Sequence, residues 1–345
     1  MQLEDGTAVT TGEGSAVATA SSIVQPTSRR TRLLLSGIQA LGLGGFYVLV
    51  LIFFSLEAPH FFSFSNTVNI LSNVSVIGIV TLGQALVLIA GGFDLSVAGT
   101  VPLGSVIFTI LINRGFNVGE AWAGAAVAGG LIGLGNGLII TRIGINALVT
   151  TLGTLSITGG LAYVVTNGET VPFANLDNGP IDNVVGGMPI YVWVWIAMNV
   201  LVFVVLRFTV FGRMIYAIGG NREASRLAGV RVDLVTTLVY VISGALGAFS
   251  GVMLAQQLLA GAPTVGSTAA LTSIAAVILG GASLTGGVGG VPGTIVGVLV
   301  LGTVANGMAL MQVPAFYQQI ATGSILLLAV GFGRLRALFG QLAER

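Results

Sequence analysis

The residue type most unusual for its position is the aspartate of the run GGFDLSVAG, Asp94, which lies between two long apolar segments. It stands in a connection of only four residues between two such segments, neither of which contains an acidic residue. A carboxylate at membrane depth is costly and usually functional, which predicts a gate or a pathway residue. A second interpretation is structural, with Asp94 or Ser96 capping a helix that begins at Val97. The two roles are compatible, because a broken helix beside a pathway still needs its backbone groups satisfied.

Neutral hydrogen-bonding side chains inside the apolar segments form a second set of pathway candidates. A lining of amides and hydroxyls suits an uncharged, polyhydroxylated substrate better than an ion or an acid. The candidates are Gln84, Asn136, Thr150, Thr151, Asn306 and Gln319. The structural alternative is that these side chains bond to neighbouring helices or to their own backbone carbonyls. Both interpretations stay open at this point.

The chain lacks the residues that most enzymes use. All 13 basic residues are arginine, cysteine is absent, and His60, beside Pro59 in a predicted outer loop, is the single histidine. There is therefore no P-loop lysine, Schiff base, disulfide, thiol nucleophile or thiolate metal site. We expect no catalytic residue, no cofactor and no metal site. The formal net charge of +1 offers no basic surface for nucleic acid.

The composition is typical of a membrane protein. Hydrophobic residues make up 54% and charged residues 7%, against about 25% charged residues in ordinary soluble chains. Apolar runs of about 17 to 25 residues can cross about 30 Å of hydrocarbon, and they predict an all-α polytopic membrane protein with about ten transmembrane helices. The glycines of the second predicted span could break it, and the eighth is short. The predicted spans are Leu33–Leu56, Val68–Gly91, Ser96–Ile112, Ala121–Ile140, Ala147–Thr166, Tyr191–Arg207, Leu234–Gln257, Leu271–Leu284, Val291–Met311 and Tyr317–Phe332.

The arginine positions predict how these spans are oriented. Cytoplasmic loops collect arginine, and with both termini inside, every arginine except Arg114 falls on the cytoplasmic side. This topology divides the chain into three parts. Residues 1–32 are a disordered cytoplasmic tail, residues 33–333 a transmembrane permease domain with a cytoplasmic loop at 207–233, and residues 334–345 a second cytoplasmic tail.

Two internal similarities suggest a repeat. NGLIITRIGINALVTTLG from Asn136 matches NGMALMQVPAFYQQIATG from Asn306, and an odd number of predicted spans separates them, as in the inverted repeats of transporters. GGFDLS at Gly91 and GGASLT at Gly280 form a second pair, whose spacing differs from that of the first. Glycines four residues apart also predict close helix packing. They are Gly129, Gly133 and Gly137, Gly247 and Gly251, and Gly293 and Gly297.

The loop at 207–233 carries five arginines together with Glu223 and Asp233. Within it, the stretch from Asn221 to Gly229 places Ala224, Leu227 and Ala228 on one face of a helix of about two turns. One interpretation is a surface helix that docks into the groove of a partner protein. The other is a helix resting on lipid headgroups, with arginines that only set the topology.

Several long segments, in the same order, resemble the permease subunits of ribose-type sugar ABC importers over roughly Phe61 to Val330. The segments are GGFDLSVAG, FGRMIYAIGGNREASRLAGVRV, LVYVISGALGAFSGVMLA, SIAAVILGGASLTGGVGGVPGTIVGVLVLGTVANGMALM and FYQQIATGSILLLAV. The resemblance implies a multi-pass subunit of the bacterial cytoplasmic membrane that pairs with a second permease copy. Separate ABC ATPase subunits would power the transport of a neutral monosaccharide or related polyol, delivered by an extracytoplasmic solute-binding protein.

In that family, the segment around 219–229 is similar to a coupling helix that fits a cleft in the ATPase subunit. This role carries over to Gly220, Asn221, Glu223, Ala224, Arg226 and Gly229. One departure concerns the family's acidic pair in a Glu-Leu-Asp run, where this chain has Ala270, Leu271 and Thr272. Because of this departure, the resemblance does not identify which sugar is transported, nor does it imply the contacts that these acids would make to a binding protein.

Two alternatives remain open at this stage. A stand-alone secondary transporter or facilitator of small neutral solutes would need no partner, although the scarcity of buried ionisable groups argues against ion coupling. A membrane scaffold that recruits cytoplasmic proteins through the loop at 207–233 would show no solute flux.

Overall fold

The computed structural model describes residues 29–174, 184–325, 327–328 and 331, and most of these residues are helical. Two units are distinguished, Met1–Ile38 and Gln39–Arg345, and in the first only the helical backbone from Arg29 onward is described. The helices are α1 (Arg29–Glu57), α2 (Phe64–Ile89), α3 (Val97–Asn113), α4 (Val118–Leu138), α5 (Ala147–Thr166), α6 (Ile190–Phe208), α7 (Val210–Gly220), α8 (Arg222–Leu227), α9 (Val232–Leu258), α10 (Ala269–Leu279) and α11 (Val291–Leu310). Residues 315–325 are also helical.

Four strands of two residues each accompany the helices. They are β1 (Val171–Pro172), β2 (Val184–Val185), β3 (Met188–Pro189) and β4 (Ala260–Gly261). The β1 and β4 strands pair antiparallel, which ties the segment after α5 to the segment after α9. The β2 and β3 strands form a small antiparallel hairpin before α6.

Six helices are long and apolar enough to cross a membrane within the part of the chain that the structure describes. They are Phe64–Ile89, Val118–Ile143, Ala147–Thr166, Ile190–Phe208, Val232–Leu258 and Val291–Leu310. Three apolar helices are shorter: Gly42–Glu57, Val97–Asn113 and Ala269–Leu279. Together with many exposed large apolar side chains on α4, α5 and α6, these helices give the all-α architecture of an integral membrane protein.

The core of the molecule lies around α2 and α9, the two most buried of the candidate spans. The glycines of α2 do not break it, contrary to the expectation for this span, and the helix continues through all 26 residues. A Cβ on Gly78 would overlap the indole of Trp195 on α6, and one on Gly83 would lie 2.9 Å from the Cα of Ser243 on α9. These glycines let neighbouring helices approach, and the hydrogen bonds of α2 stay intact.

The glycines of α4 spaced by four pack closely against a neighbouring helix, as predicted, and the structure shows that this helix is α9. A Cβ on Gly129 would overlap the carbonyl oxygen of Gly244, and one on Gly133 would overlap that of Tyr240. Gly293 and Gly297 of α11 likewise lie against the backbone of Gly280 and Ala276 at the end of α10, and Gly251 lies against the Val101 carbonyl of α3. Gly247 is the exception, because a Cβ there would make only ordinary contact, 3.5 Å from a Val97 methyl.

Some predicted boundaries are wrong. In place of the predicted span Leu271–Leu284 the structure has α10, whose 11 residues extend about 16 Å, so that this helix alone covers about half of the hydrocarbon thickness. The helix stops at Gly280 because the next residue, Gly281, has φ +89°. The first helix begins at Arg29, four residues before the predicted span, and the tails at 1–28 and 334–345 lie outside the described residues.

The predicted loop at 207–233 is largely helical. It contains the whole of α7, which the sequence analysis missed, followed by α8 in the stretch where a short helix was expected. The end of α4 also differs from expectation, since Ile139–Ile143 form a π turn that closes at Gly144 with φ +82°. His60 lies exposed in the turn between α1 and α2, as predicted.

Candidate functional site

The carboxylate of Asp94 is fully buried in the connection between α2 and α3, and hydrogen-bond donors surround it. Its Oδ1 accepts from the backbone N–H of Ser96 at 3.0 Å and from the Ser96 hydroxyl, and its Oδ2 accepts from the Ser243 hydroxyl at 2.7 Å. Among the described residues no arginine pairs with this carboxylate, because all three ion pairs lie elsewhere. Neutral donors therefore hold Asp94 in place.

The same hydrogen bonds continue through Ser96 to two further helices. The Asn136 side chain on α4 donates from Nδ2 to the Ser96 hydroxyl at 2.9 Å, and the Thr154 hydroxyl on α5 donates to Asn136 Oδ1. We call Asp94, Ser96, Asn136, Thr154 and Ser243 the Asp94 network. It joins the α2–α3 connection to α4, α5 and α9 through side-chain hydrogen bonds.

The structure thus unites three of the predicted pathway residues, Asp94, Ser96 and Asn136. It also corrects the expected cap, because the Ser96 side chain makes no capping bond to α3. The carboxylate of Asp94 instead satisfies the Ser96 N–H just before that helix. Ser243 and Thr154 were missed, since serine and threonine are too common in these helices for spacing alone to single them out.

Gln84 on α2 is the most unusual of the remaining candidates. Its side chain is fully buried, and neither its Nε2 nor its Oε1 has a partner among the described residues. Val80 and Leu88 share its face of α2 at a spacing of four residues and pack in clusters with Ala270 and Val277 of α10. Gln84 therefore lies on the α10 side of α2, and a buried amide without partners calls for an explanation.

The other neutral candidates are separate from the Asp94 network or bond locally. Thr151 donates to the Ala147 carbonyl one turn earlier, as the structural alternative expects, whereas the Thr150 hydroxyl is buried without a partner in the described chain. Asn306 on α11 is half-buried with its Oδ1 unpaired there, and Gln319 is exposed. The structure brings neither Asn306 nor Gln319 to the Asp94 network.

Helix α8 lies exposed between α7 and α9 and contains or borders all the predicted coupling residues. Gly220 ends α7, Asn221 caps α8 by accepting the Ala224 N–H at 2.9 Å, and Gly229 follows the helix with φ +83°. Arg226 pairs with Glu223 at 3.5 Å and with Asp233 of α9 at 3.4 Å. Exposed pairs of this kind contribute about 0–1 kcal/mol each, so they add little to the stability of α8.

Three glycine-containing segments meet directly before α8. Gly287, in the connection between α10 and α11, donates its N–H to the Ile89 carbonyl at the end of α2 at 2.9 Å. A Cβ on Gly219 of α7 would overlap the same Ile89 carbonyl, and one on Gly286 would lie 2.7 Å from the Cα of Gly91. We call these residues the glycine junction. Through it, the end of α7 contacts the backbone of both helix-breaking connections, including the one that carries Asp94.

A cavity of about 450 Å³ lies between α8 and the α2–α3 connection, which carries Asp94. Arg222, Arg226 and Asp233 line one side of it, and Gly91 and Gly92 line another. Tyr240, also in its wall, donates its hydroxyl to the Phe93 carbonyl at 3.1 Å, next to Asp94. The residues of α8 and the residues beside Asp94 therefore share one polar space.

The structure shows the surroundings of the first turn of α10, where the acidic pair of the family is missing. Ala270 is buried in an apolar cluster with Val80, Val97 and Ala98, where a carboxylate would be desolvated. Leu271, between the two departures, is exposed. The first turn of α10 thus presents no acidic side chain, and its buried face is matched to alanine.

Comparisons with known proteins agree with this arrangement. Residues 66–330 match the family described as branched-chain amino acid transport system / permease component. The L-arabinose ABC transporter permease protein AraH of Azospirillum brasilense is 38% identical over 306 residues, covering 86% of this chain and 89% of that protein. No solved structure matches the chain.

Two ribose import permease proteins named RbsC are similarly related. The protein of Escherichia coli strain K12 is 35% identical over 281 residues, covering 80% of this chain and 88% of its own length. The protein of Bacillus subtilis strain 168 is 34% identical over 298 residues, covering 85% and 92%. These relatives are permease subunits and not enzymes. The chain therefore belongs to this family of membrane permease components, the one that includes the ribose-type ABC importer permeases.

Proposed function

We propose that this chain forms the transmembrane path of an ATP-driven importer for a neutral monosaccharide or related polyol. A separate ABC ATPase subunit docks on α8 from the cytoplasm, and a solute-binding protein delivers the sugar to the opposite side. Closure of two ATPase subunits draws the two α8 helices together, and the glycine junction passes this movement to the α2–α3 and α10–α11 connections.

The observation that carries the proposal is the exposed apolar tip of α8. Leu227 is 82% exposed, although it belongs to a helix fixed by a side-chain cap and by ion pairs to Asp233. A single exposed leucine is ordinary on a protein surface. Here it stands at the end of a charged two-turn helix that resembles a coupling helix, and a cleft in an ATPase would remove it from water.

We expect Leu227→Asp to weaken copurification of the chain with the ABC ATPase subunit of its transport system by about tenfold or more. The change removes the burial of one leucine and places a charge in the contact. Leu227→Met is the matched control and should copurify like the native chain. Equal ATPase recovery with Leu227→Asp would contradict docking on α8. Solute flux through the purified chain without ATP would instead support a stand-alone facilitator.

Two buried neutral side chains support an uncharged, polyhydroxylated substrate. Gln84 and Thr150 are buried, and their side chains have polar atoms without partners in the described residues. Such atoms cost stability in the resting chain, and hydroxyl groups of a passing sugar would pair with them. The relatives are named for arabinose and ribose, which fit this chemistry, whereas the family description names branched-chain amino acids.

We expect Gln84→Met to stabilise the chain by about 1 kcal/mol, because it removes a buried amide that has no partner. We expect the same variant to slow sugar uptake in proteoliposomes about tenfold, because the substrate loses that amide. The matched control is Gln257→Met, which removes the hydrogen bond from Nε2 to the Ser72 carbonyl and should destabilise by about 1 kcal/mol. Unchanged uptake with Gln84→Met would exclude Gln84 from the pathway.

The proposal includes about ten spans, with both termini in the cytoplasm, in a bacterial inner membrane. The arginines of α7, α8 and the segment before α9 support a cytoplasmic face there. We also propose a homodimer and an inverted repeat. The inverted repeat is supported by the similar segments from Asn136 and Asn306, which an odd number of predicted spans separates. Accessibility of single introduced cysteines to impermeant thiol reagents tests the orientation, and cross-linking between copies tests the homodimer.

A further inference from the structure

A second cavity, of about 490 Å³, lies apart from the Asp94 network and from α8. It is formed where α6 ends, α7 passes and α11 begins. Its lining consists of Phe203, Leu206, Arg207, Arg213, Tyr216, Gly290, Val291 and Pro292. The lining contains two guanidinium groups and no carboxylate, so its electrostatic character is positive.

The two arginines of this cavity make no ion pair within the part of the chain that the structure describes. Within the described ranges, the ion pairs involve Arg222 and Arg226 only, and neither Arg207 nor Arg213 has an acidic partner. Tyr216 stands beside them, held by its hydroxyl bond to the Gly289 carbonyl at 2.9 Å. Burial raises the pKa of Tyr216, and the charge of Arg207, which lines the same cavity, opposes that rise.

The start of α11 adds a further positive contribution. Gly290 precedes the helix, no side chain caps it, and Pro292 stands in its first turn. Uncapped N–H groups at a helix N-terminus favour an anion, phosphate groups in particular. The two arginines provide the charge and the bidentate donors that phosphate recognition uses.

The remaining wall of the cavity is apolar and continues toward the lipid. Phe203, Leu206, Val291 and Pro292 supply it, and Phe203 is itself exposed. Next to Phe203 on α6, Val200, Leu201 and Val204 are exposed as well, in a helix long enough to span the membrane. A ligand here meets positive charge at one end and a lipid-facing apolar surface at the other.

From this combination we propose that the cavity binds one anionic phospholipid, with its phosphate between Arg207 and Arg213 and its acyl chains along α6. Basic pockets between transmembrane helices on the cytoplasmic side are suited to such headgroups. A free phosphate ion shares the headgroup chemistry but would not use the apolar wall. The inference does not depend on the transported solute or on the ATPase.

The test is native mass spectrometry of the purified full-length chain, titrated with phosphatidylglycerol or with phosphatidylcholine of identical acyl chains. We expect one phosphatidylglycerol per chain to be retained in preference to phosphatidylcholine. The double variant Arg207→Gln, Arg213→Gln should weaken this binding by about tenfold to thirtyfold. The double variant Arg142→Gln, Arg231→Gln removes the same charge from residues outside the cavity and should bind normally.

Three results would overturn the proposal. They are equal retention of the two lipids by the native chain, equal loss in the two double variants, and displacement of the lipid by millimolar inorganic phosphate. The comparison of lipids on the native chain needs no variant, and Arg207→Lys with Arg213→Lys keeps both charges if the glutamine variant does not fold. Sugar uptake is not part of the readout, so failure here leaves the proposed transport function untouched.

Discussion

Gly219→Ala is expected to destabilise the chain by about 1–3 kcal/mol and to abolish ATP-driven uptake. The added Cβ would overlap the Ile89 carbonyl and lie 2.5 Å from the Gly287 nitrogen, both of them backbone atoms that cannot rotate away. Overpacking of this kind forces the backbone apart and typically costs that amount. The α7 helix would have to separate from the end of α2, which breaks the contact through which α8 reaches the Asp94 connection.

The neighbouring glycine provides a matched control. A Cβ on Gly220 would meet nothing within 4 Å, although Gly220 is one residue nearer α8 and is among the predicted coupling residues. Gly220→Ala should therefore fold normally and retain uptake. Thermal unfolding in detergent and uptake in proteoliposomes, measured on both variants, give the comparison. If the two alanine variants behave alike, the glycine junction does not carry movement from α7 to α2.

Asp94→Ala is expected to destabilise the chain by about 3 kcal/mol. The substitution leaves the Ser96 N–H and the Ser243 hydroxyl without their buried acceptor, and each such loss costs about 1–3 kcal/mol. The Ser96 hydroxyl also loses its acceptor, so its bond with Asn136 is weakened too. We expect the hydrogen bonds that connect the start of α3 with α4 and α9 to be lost or weakened, and uptake to disappear. Thermal unfolding and uptake measure the two effects.

Asp94→Asn separates the charge from the hydrogen bonds. The amide oxygen can accept the Ser96 N–H, while the amide nitrogen donates to the Ser243 hydroxyl, which can turn to accept. We therefore expect stability within about 1 kcal/mol of the native chain and substantial uptake, because neutral groups already hold this side chain. A folded Asp94→Asn variant without uptake would show that the negative charge itself acts in transport.

The sequence was sufficient for the class of protein and for much of its packing. Apolar runs that are long enough to cross the hydrocarbon predict most of the helices. The backbone must be helical there because the membrane holds no water to bond with unpaired N–H and C=O groups. Glycines at a spacing of four predicted that α4 packs closely against a neighbour, since a periodicity of one turn keeps small residues on one face, but they did not identify α9 as that neighbour. The exception, Gly247, shows that the spacing gives the face of the helix but not the distance to its neighbour.

Other features depended on contacts that a linear pattern does not contain. Asp94 and Asn136 were picked separately as costly polar residues, but their connection runs through Ser96, and its two further members, Ser243 and Thr154, carried no distinguishing signal. The glycine junction joins residues from three distant segments, and no spacing along the chain connects them. Helix α7 was missed because its arginine and glycine content resembles a loop, whereas Tyr216 and Ile215 anchor it to the core.

Helix α8 is also the shortest α-helix of the described chain. Six residues are too few for a helix to persist alone in water, because the free-energy cost of nucleation exceeds what so few backbone hydrogen bonds contribute. Its persistence depends on the Asn221 side chain and on charge pairs with Asp233, whose side chains are about half exposed and are screened by salt. We expect its amide protons to exchange with deuterium early, and faster at high ionic strength. The exchange rate of α8 therefore reports whether a partner is bound to it. A partner seated on it would slow that exchange long before any change reached the buried spans.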